Sequence, residues 1–162
     1  DNKIISLEDI RGKNGTLIMF ICNHCPYVKA VTKEIVEDCI KLKKIGINSL
    51  AICSNDSSKY PEDSFENMIK FSKKNNFSFP YLLDESQEVA KGYKAVCTPD
   101  FFGYNKNLEL QYRGRLRELK NLIPVKKGDS DLLKAMTKIS ETNKGPVDQV
   151  PSAGCSIKWK ID

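Results

Sequence analysis

Histidine is nearly missing from this sequence. His24 is the only one in 162 residues, and Cys22 and Cys25 have no second C-x-x-C or histidine pair to match them. Structural zinc wants four ligands, commonly as two separated pairs, so a zinc site is not expected and the reading assigns no metal. Apolar runs long enough to span a membrane are absent, and no signal-peptide pattern opens the chain, so no membrane partner is expected. The net charge of +5 has no basic stripe with interleaved aromatics behind it. Lys41, Lys43, Lys44, Lys73, Lys74, Lys126 and Lys127 are scattered among acids, which reads as a solvated surface and not as a nucleic-acid site. Six cysteines stand at 22, 25, 39, 53, 97 and 155, and only the first two are close. That is not the pattern of a disulfide-stapled secreted module. Cytoplasmic residence is the expectation. Because the first residue is Asp1, a removed presequence would make a periplasmic site the alternative.

Repeats and linkers are lacking too, so residues 1–162 read as one domain with 143–162 as an extended C-terminal tail. The stretch that organises the rest is Met19-Phe20-Ile21-Cys22-Asn23-His24-Cys25-Pro26-Tyr27. Leu17 to Ile21 is an apolar run that predicts a buried strand. From Pro26 to Ile45, Val28, Val31, Ile35, Cys39 and Leu42 recur at helical spacing, and Gly46 ends that helix. A strand that hands a C-x-x-C to a helix N-terminus is a redox device. The pair is close enough for a small disulfide ring, and unpaired helix amides favour a thiolate over a thiol.

Further on, Ile47 to Cys53 predicts a strand, and Pro61-Glu62-Asp63-Ser64 opens a helix carrying Phe65, Met68, Ile69 and Ser72. Cys39 and Cys53 read as packed small hydrophobes. Phe79 to Leu83 is a short strand and Glu88 to Tyr93 a short helix. Phe101–Tyr104 and Leu108–Tyr112 flank Asn105-Lys106-Asn107 as a hairpin, with asparagines suited to left-handed turn positions. Asp129 or Ser130 caps a last helix. Parallel crossovers followed by an antiparallel pair predict an α/β fold, a mixed central sheet with helices on both faces. Thr98-Pro99, just before a strand, is a candidate cis peptide whose backbone would pair with an extended substrate.

With these residues in place the chain resembles the thioredoxin-like superfamily over nearly its whole length. Phe-Ile-Cys-Asn-His-Cys-Pro-Tyr-Val, Phe-Pro-Tyr-Leu-Leu-Asp, Cys-Thr-Pro-Asp-Phe-Phe, Tyr-Arg-Gly-Arg and Gly-Cys-Ser-Ile-Lys-Trp in order resemble its peroxiredoxin-like branch (AhpC/TSA, redoxin). The resemblance implies a thioredoxin-like fold with a redoxin-type helix and strand insertion ahead of Thr98-Pro99. It also implies Cys22 as an exposed nucleophile, Cys25 as the buried resolving thiol, and Pro99 as a cis-proline that holds substrate with Thr98. His24 resembles the histidine of protein disulfide isomerase and DsbA, where a charge near the first sulfur stabilises a thiolate. The plain alternative is a solvent-facing loop residue. The chain departs from thioredoxin at Ile21, where a tryptophan is usual, and at Thr16, where the buried acid that serves the second thiol would stand. It departs from peroxiredoxins in having Cys22 where they carry Thr or Ser, three residues before the peroxidatic cysteine, and their active-site arginine has only Arg113 and Arg115 as candidates, approaching from the hairpin.

The expected activity is thiol–disulfide exchange with protein or small-molecule thiols and disulfides, supplied by an unidentified electron donor. No cofactor is needed, since the pair itself carries two electrons. A peroxiredoxin-like thiol peroxidase and a non-catalytic thioredoxin-fold binding domain are the alternatives. Cys97 either packs or meets the pair as an accessory thiol. Cys155 reads as a packed or idle cysteine, unless the tail docks at the active end of the sheet, where it would be a second resolving thiol. Ile157 and Trp159 alternate with lysines, which predicts a docked segment with one apolar side.

Overall fold

The computed structural model describes residues 3–161. The fold is assembled around β1 (Gly15–Phe20), all six residues of which are buried. Leu17 and Met19 face one side of the sheet and Ile18 and Phe20 the other, so both faces need apolar cover and the strand reads as a continuous apolar run. Ahead of it, α1 (Leu7–Ile10) is a single turn. After it come α2 (Pro26–Lys44), β2 (Ile47–Cys53), a 3-10 turn (Pro61–Asp63), α3 (Phe65–Lys74), β3 (Tyr81–Leu83) and α4 (Glu88–Tyr93). Next are β4 (Cys97–Thr98), β5 (Asp100–Asn105), β6 (Leu110–Gly114), β7 (Leu119–Lys120), β8 (Ile123–Pro124), α5 (Asp131–Thr142) and β9 (Cys155–Ser156).

The central sheet has the order β3-β2-β1-β5-β6. β1, β2 and β3 run parallel, and β5 and β6 are antiparallel additions, which is the expected mixed α/β sheet. One face is covered by α2 and α5, with Met68 of α3. The other carries Ala90 of α4, Leu7 and Ile10 of α1, and Ile157 of the tail. Val28, Val31, Ile35, Cys39 and Leu42 form the buried stripe of α2 as their spacing predicts, and Gly46 follows the helix at φ +84°, a left-handed position that suits glycine.

Local chemistry departs from the expected turns in two places, and it chooses between the two candidate caps of α5. In the β5–β6 hairpin the left-handed residue is Leu108 (φ +60°), because the Asn105 side chain is used otherwise: its Oδ1 accepts from Asn107 N and Glu109 N, 3.0 Å each. Ser130, not Asp129, caps α5, with Oγ accepting from Leu133 N at 2.9 Å. The small β7–β8 hairpin was not expected. Its turn puts Asn121 and Leu122 at positive φ, and leucine carries no turn signal.

The tail is the least regular part and is nevertheless held along its length. Ile157 is 3% exposed in the second core, whereas Trp159 stays 37% exposed beside the Lys91 ammonium. Docking rests on Ile157 more than on the tryptophan. Of the expected 143–162 segment, Asp162 lies outside the described residues, as do Asp1 and Asn2 of the domain.

Candidate active site

β1 ends at Phe20, and the chain passes through Ile21 to Cys22 before Cys25 takes the N-cap of α2, with Pro26 as its first helical residue. Proline suits that position, since its missing N–H has no partner inside the helix. The Cys25 carbonyl accepts from Val28 N and Lys29 N at 3.1 and 3.0 Å. Across from the pair stands Thr98, whose peptide bond to Pro99 is cis. Its Oγ1 is 3.5 Å from Cys22 Sγ, and its carbonyl accepts from the Cys25 thiol at 3.5 Å. The two cysteines and the Thr98-Pro99 step therefore converge as the sequence predicts.

Exposure does not follow the prediction. Cys22 and Cys25 are each 1% exposed, so Cys22 is not an open thiol in this state. β9 pairs antiparallel with β4, so that Cys155 stands opposite Thr98 and Ser156 opposite Cys97. The edge expected to receive a substrate strand is filled by the protein's own tail. Cys97 is half-buried, its thiol turned to the carbonyls of Pro99 and Ser152 at 3.7 and 3.9 Å.

The two sulfurs differ in electrostatics. A hydrogen bond from Cys22 is the largest influence on Cys25 and lowers its pKa. Burial opposes it, and the Cys155 thiol with the Val28 and Cys155 N–H groups adds further stabilisation. Cys22 is pushed the other way, first by that shared hydrogen bond, then by burial, with the Asp63 carboxylate adding to the effect. The hydrogen bond within the pair favours charge on Cys25 over charge on Cys22. Burial holds Cys39 and Cys53 up at about 12, which suits their expected role as packed hydrophobes.

Asp63 is a candidate site residue that the sequence reading missed. It is fully buried at the end of the 3-10 turn, where an acid in the first turn of a helix looks like ordinary charge placement. Instead its Oδ1 accepts from Asn23 N at 2.7 Å and its Oδ2 from Asn55 Nδ2 at 2.9 Å. His24 Nδ1, itself buried, lies 2.7 Å from the same Oδ2, off the line of an ideal N–H bond. The His24 ring stacks on Tyr60 with centroids 6.0 Å apart. Asn23, unassigned in the sequence reading, is pinned by Asp63, by the Glu62 carbonyl (3.0 Å) and by the Tyr81 hydroxyl (2.8 Å). A ring nitrogen of His24, the Cys22 sulfur and an Asp63 oxygen fall within 4.8 Å of one another. This is the arrangement of a thiol beside an acid-backed base, and also the one group among the described residues with the spacing of a metal site. An ion held there would occupy Cys22 and take it out of exchange.

The arginines expected from the hairpin are engaged elsewhere. Arg113 pairs with Asp100 (3.3 Å) and lies over Phe102, and Arg115 pairs with Asp131 (2.8 Å). Their side chains are drawn off by carboxylates on β5 and α5 and bring no charge to Cys25.

A profile of the AhpC/TSA family matches residues 1–118. Among solved structures the chain is similar to an uncharacterized conserved protein from Geobacillus kaustophilus, at 43% identity and TM-score 0.95, covering 100% of this chain and 86% of that one. It is similar also to a hypothetical protein from Sinorhizobium meliloti 1021, at 33% identity and TM-score 0.90, covering 99% and 87%. A secreted Mycobacterium tuberculosis disulfide oxidoreductase homologous to E. coli DsbE shares the fold, at 15% identity and TM-score 0.55, over 66% of this chain and 72% of that one. No curated protein matches the chain.

Proposed function

The chain belongs to the AhpC/TSA family of thioredoxin-like redoxins, and within it we propose that this protein is a thiol–disulfide oxidoreductase working through Cys22 and Cys25. The observation that carries the reading is the convergence of the two thiols on the Thr98 backbone, with a strand end at Cys22 and a helix N-terminus at Cys25.

We place the division of labour opposite to the one the resemblance implies, because the pKa of Cys25 is lowered and that of Cys22 raised. Cys25, whose charge is stabilised, attacks a substrate disulfide: a bond forms from Cys25 to one substrate sulfur while the other leaves as thiolate. Cys22 then resolves. Its proton passes to His24, which Asp63 faces, and the new Cys22 thiolate attacks Cys25, so that the substrate sulfur leaves and the Cys22–Cys25 disulfide remains. Two electrons have gone from the pair to the substrate, and with an oxidised pair the steps run in reverse. Thr98 and Pro99 hold the backbone of an entering strand in the place that β9 occupies here.

A thiol peroxidase would instead take oxygen from a peroxide to give a sulfenic acid. The engagement of Arg113 and Arg115 with Asp100 and Asp131 argues against it. Stopped-flow kinetics separate the readings. Reduced protein is expected to react with hydrogen peroxide no faster than a free thiol at matched pH, while it exchanges with oxidised glutathione and reduces insulin disulfides. A fast peroxide reaction without exchange would assign the peroxidase, and neither reaction would leave a binding domain.

A further inference from the structure

The C-terminal strand carries a thiol to the place where a substrate thiol belongs. Cys155 is the Cα partner of Thr98, Thr98 touches both Cys22 and Cys25, and Cys155 packs against the core cluster that contains both. Gly154 lies so close to the Thr98-Pro99 peptide that an added Cβ would meet Thr98 O at 2.1 Å, so only glycine lets the tail run there. The segment is anchored on either side of the thiol. Ser152 Oγ donates to Gly114 O (2.8 Å) before it, and Lys158 N donates to Asn55 Oδ1 (2.9 Å) after it. Asn55 also donates to Asp63, which links the tail to the His24–Asp63 contact. Such anchoring holds one thiol beside Cys25 at high effective concentration.

We propose that Cys155 is a third redox thiol that exchanges with Cys25 while β9 occupies the Thr98 edge as a built-in substrate strand. The step rests on the oxidoreductase reading and needs nothing outside the chain. In the oxidised protein the Cys155 thiol gives up its proton to solvent as its sulfur attacks Cys25. The Cys25–Cys155 bond forms, the Cys22–Cys25 bond breaks, and Cys22 leaves as thiolate and recovers a proton from His24. No electrons are gained or lost. The Cys155 thiol also lies near enough to Cys25 to lower its pKa, which agrees with this placement. An outside strand pairs with Thr98 only after β9 has moved off, so the Cys25–Cys155 bond also closes the substrate edge.

The test uses the full chain with Cys22→Ser and oxidised glutathione, followed by alkylation of free thiols and peptide mapping. Cys25 first takes glutathione, and Cys155 then displaces it. The expected product is a Cys25–Cys155 disulfide exceeding glutathionylated Cys25 by about tenfold, as a tethered thiol competes with a free one. In Cys22→Ser/Gly154→Ala the added methyl displaces the tail, and the cross-link is expected to fall by about the same factor with glutathione left on Cys25. In oxidised wild-type protein, N-ethylmaleimide should label Cys22 in a measurable fraction of molecules. A Cys22→Ser protein that keeps glutathione on Cys25 with Cys155 alkylated overturns the proposal, as does a cross-link indifferent to Gly154→Ala. If wild type still forms a reversible Cys22–Cys25 disulfide in that case, the oxidoreductase reading survives. A Cys25 that takes no glutathione in any variant removes both.

Discussion

Replacing Cys22 with serine is expected to trap covalent mixed disulfides on Cys25, and replacing Cys25 with serine to trap almost none. The sequence alone predicts the reverse, since the resemblance puts attack on the first cysteine. The difference is physical. Cys25 is the N-cap of α2, beside N–H groups that have no partner inside the helix, and the neighbouring Cys22 and Cys155 thiols lower its pKa. Cys22 faces a buried carboxylate instead and is held in the thiol form. Serine at 22 still donates a hydrogen bond to Cys25, so attack survives while resolution is lost. Partner-loaded protein in Cys22→Ser is expected to exceed that in Cys25→Ser by at least about tenfold, the ratio that 1.4 kcal/mol of differential thiolate stabilisation supports. Non-reducing gels of thiol-blocked protein with a disulfide-containing substrate read this directly. Trapping confined to Cys25→Ser would restore Cys22 as the attacking thiol.

The second large effect falls on Asp63→Asn. The amide keeps the shape and an acceptor for Asn23 N, but it loses the charge that faces His24 and sets an NH2 group against a donor from Asn55. Two consequences compete. Removing the carboxylate eases ionisation of Cys22, because Asp63 raises it, but that influence ranks below the shared hydrogen bond and burial. Losing the acid that positions His24 as the base costs about 10²-fold in proton transfer. The second wins, so resolution is expected to slow by about 10²-fold while the attack step stays within a few-fold. Dependence on pH separates this from a merely structural loss: in the variant the resolution rate should climb with pH as hydroxide takes the base's place, whereas the wild-type rate is flatter. Stability should fall by about 1–3 kcal/mol, since a buried polar group loses its match. Equal slowing of both steps, with the same pH profile as wild type, would reduce Asp63 to a structural acid.

How much of this was legible in the sequence depended on distance along the chain. Cys22, Cys25 and the helix that follows are one local pattern, and Thr98-Pro99 is another, so the core of the site and the mixed sheet could be read directly. Asp63 could not, because its link to Asn23 spans 40 residues and the acid looked like part of a helix start. The polarity proposed for the pair draws in part on Cys155 being folded back onto Cys25, and nothing in Gly-Cys-Ser-Ile-Lys-Trp states where the tail lands. The alternation at Ile157 did announce that it lands somewhere apolar. The engagement of Arg113 with Asp100 and of Arg115 with Asp131 was equally invisible, since it depends on which faces of β5, β6 and α5 meet.

The central claim is that Cys22 and Cys25 form a reversible two-electron couple with the reduced state stabilised through a Cys25 thiolate. Equilibration of the full chain in glutathione buffers of varied redox ratio, quenched in acid and weighed, measures it. A lower thiolate pKa stabilises the reduced form and makes the disulfide a stronger oxidant, so a single two-electron transition is expected at a potential above thioredoxin's roughly −270 mV, towards DsbA's roughly −120 mV. A protein that stays dithiol across the whole series, or one whose transition persists unchanged in Cys25→Ser, would contradict the account.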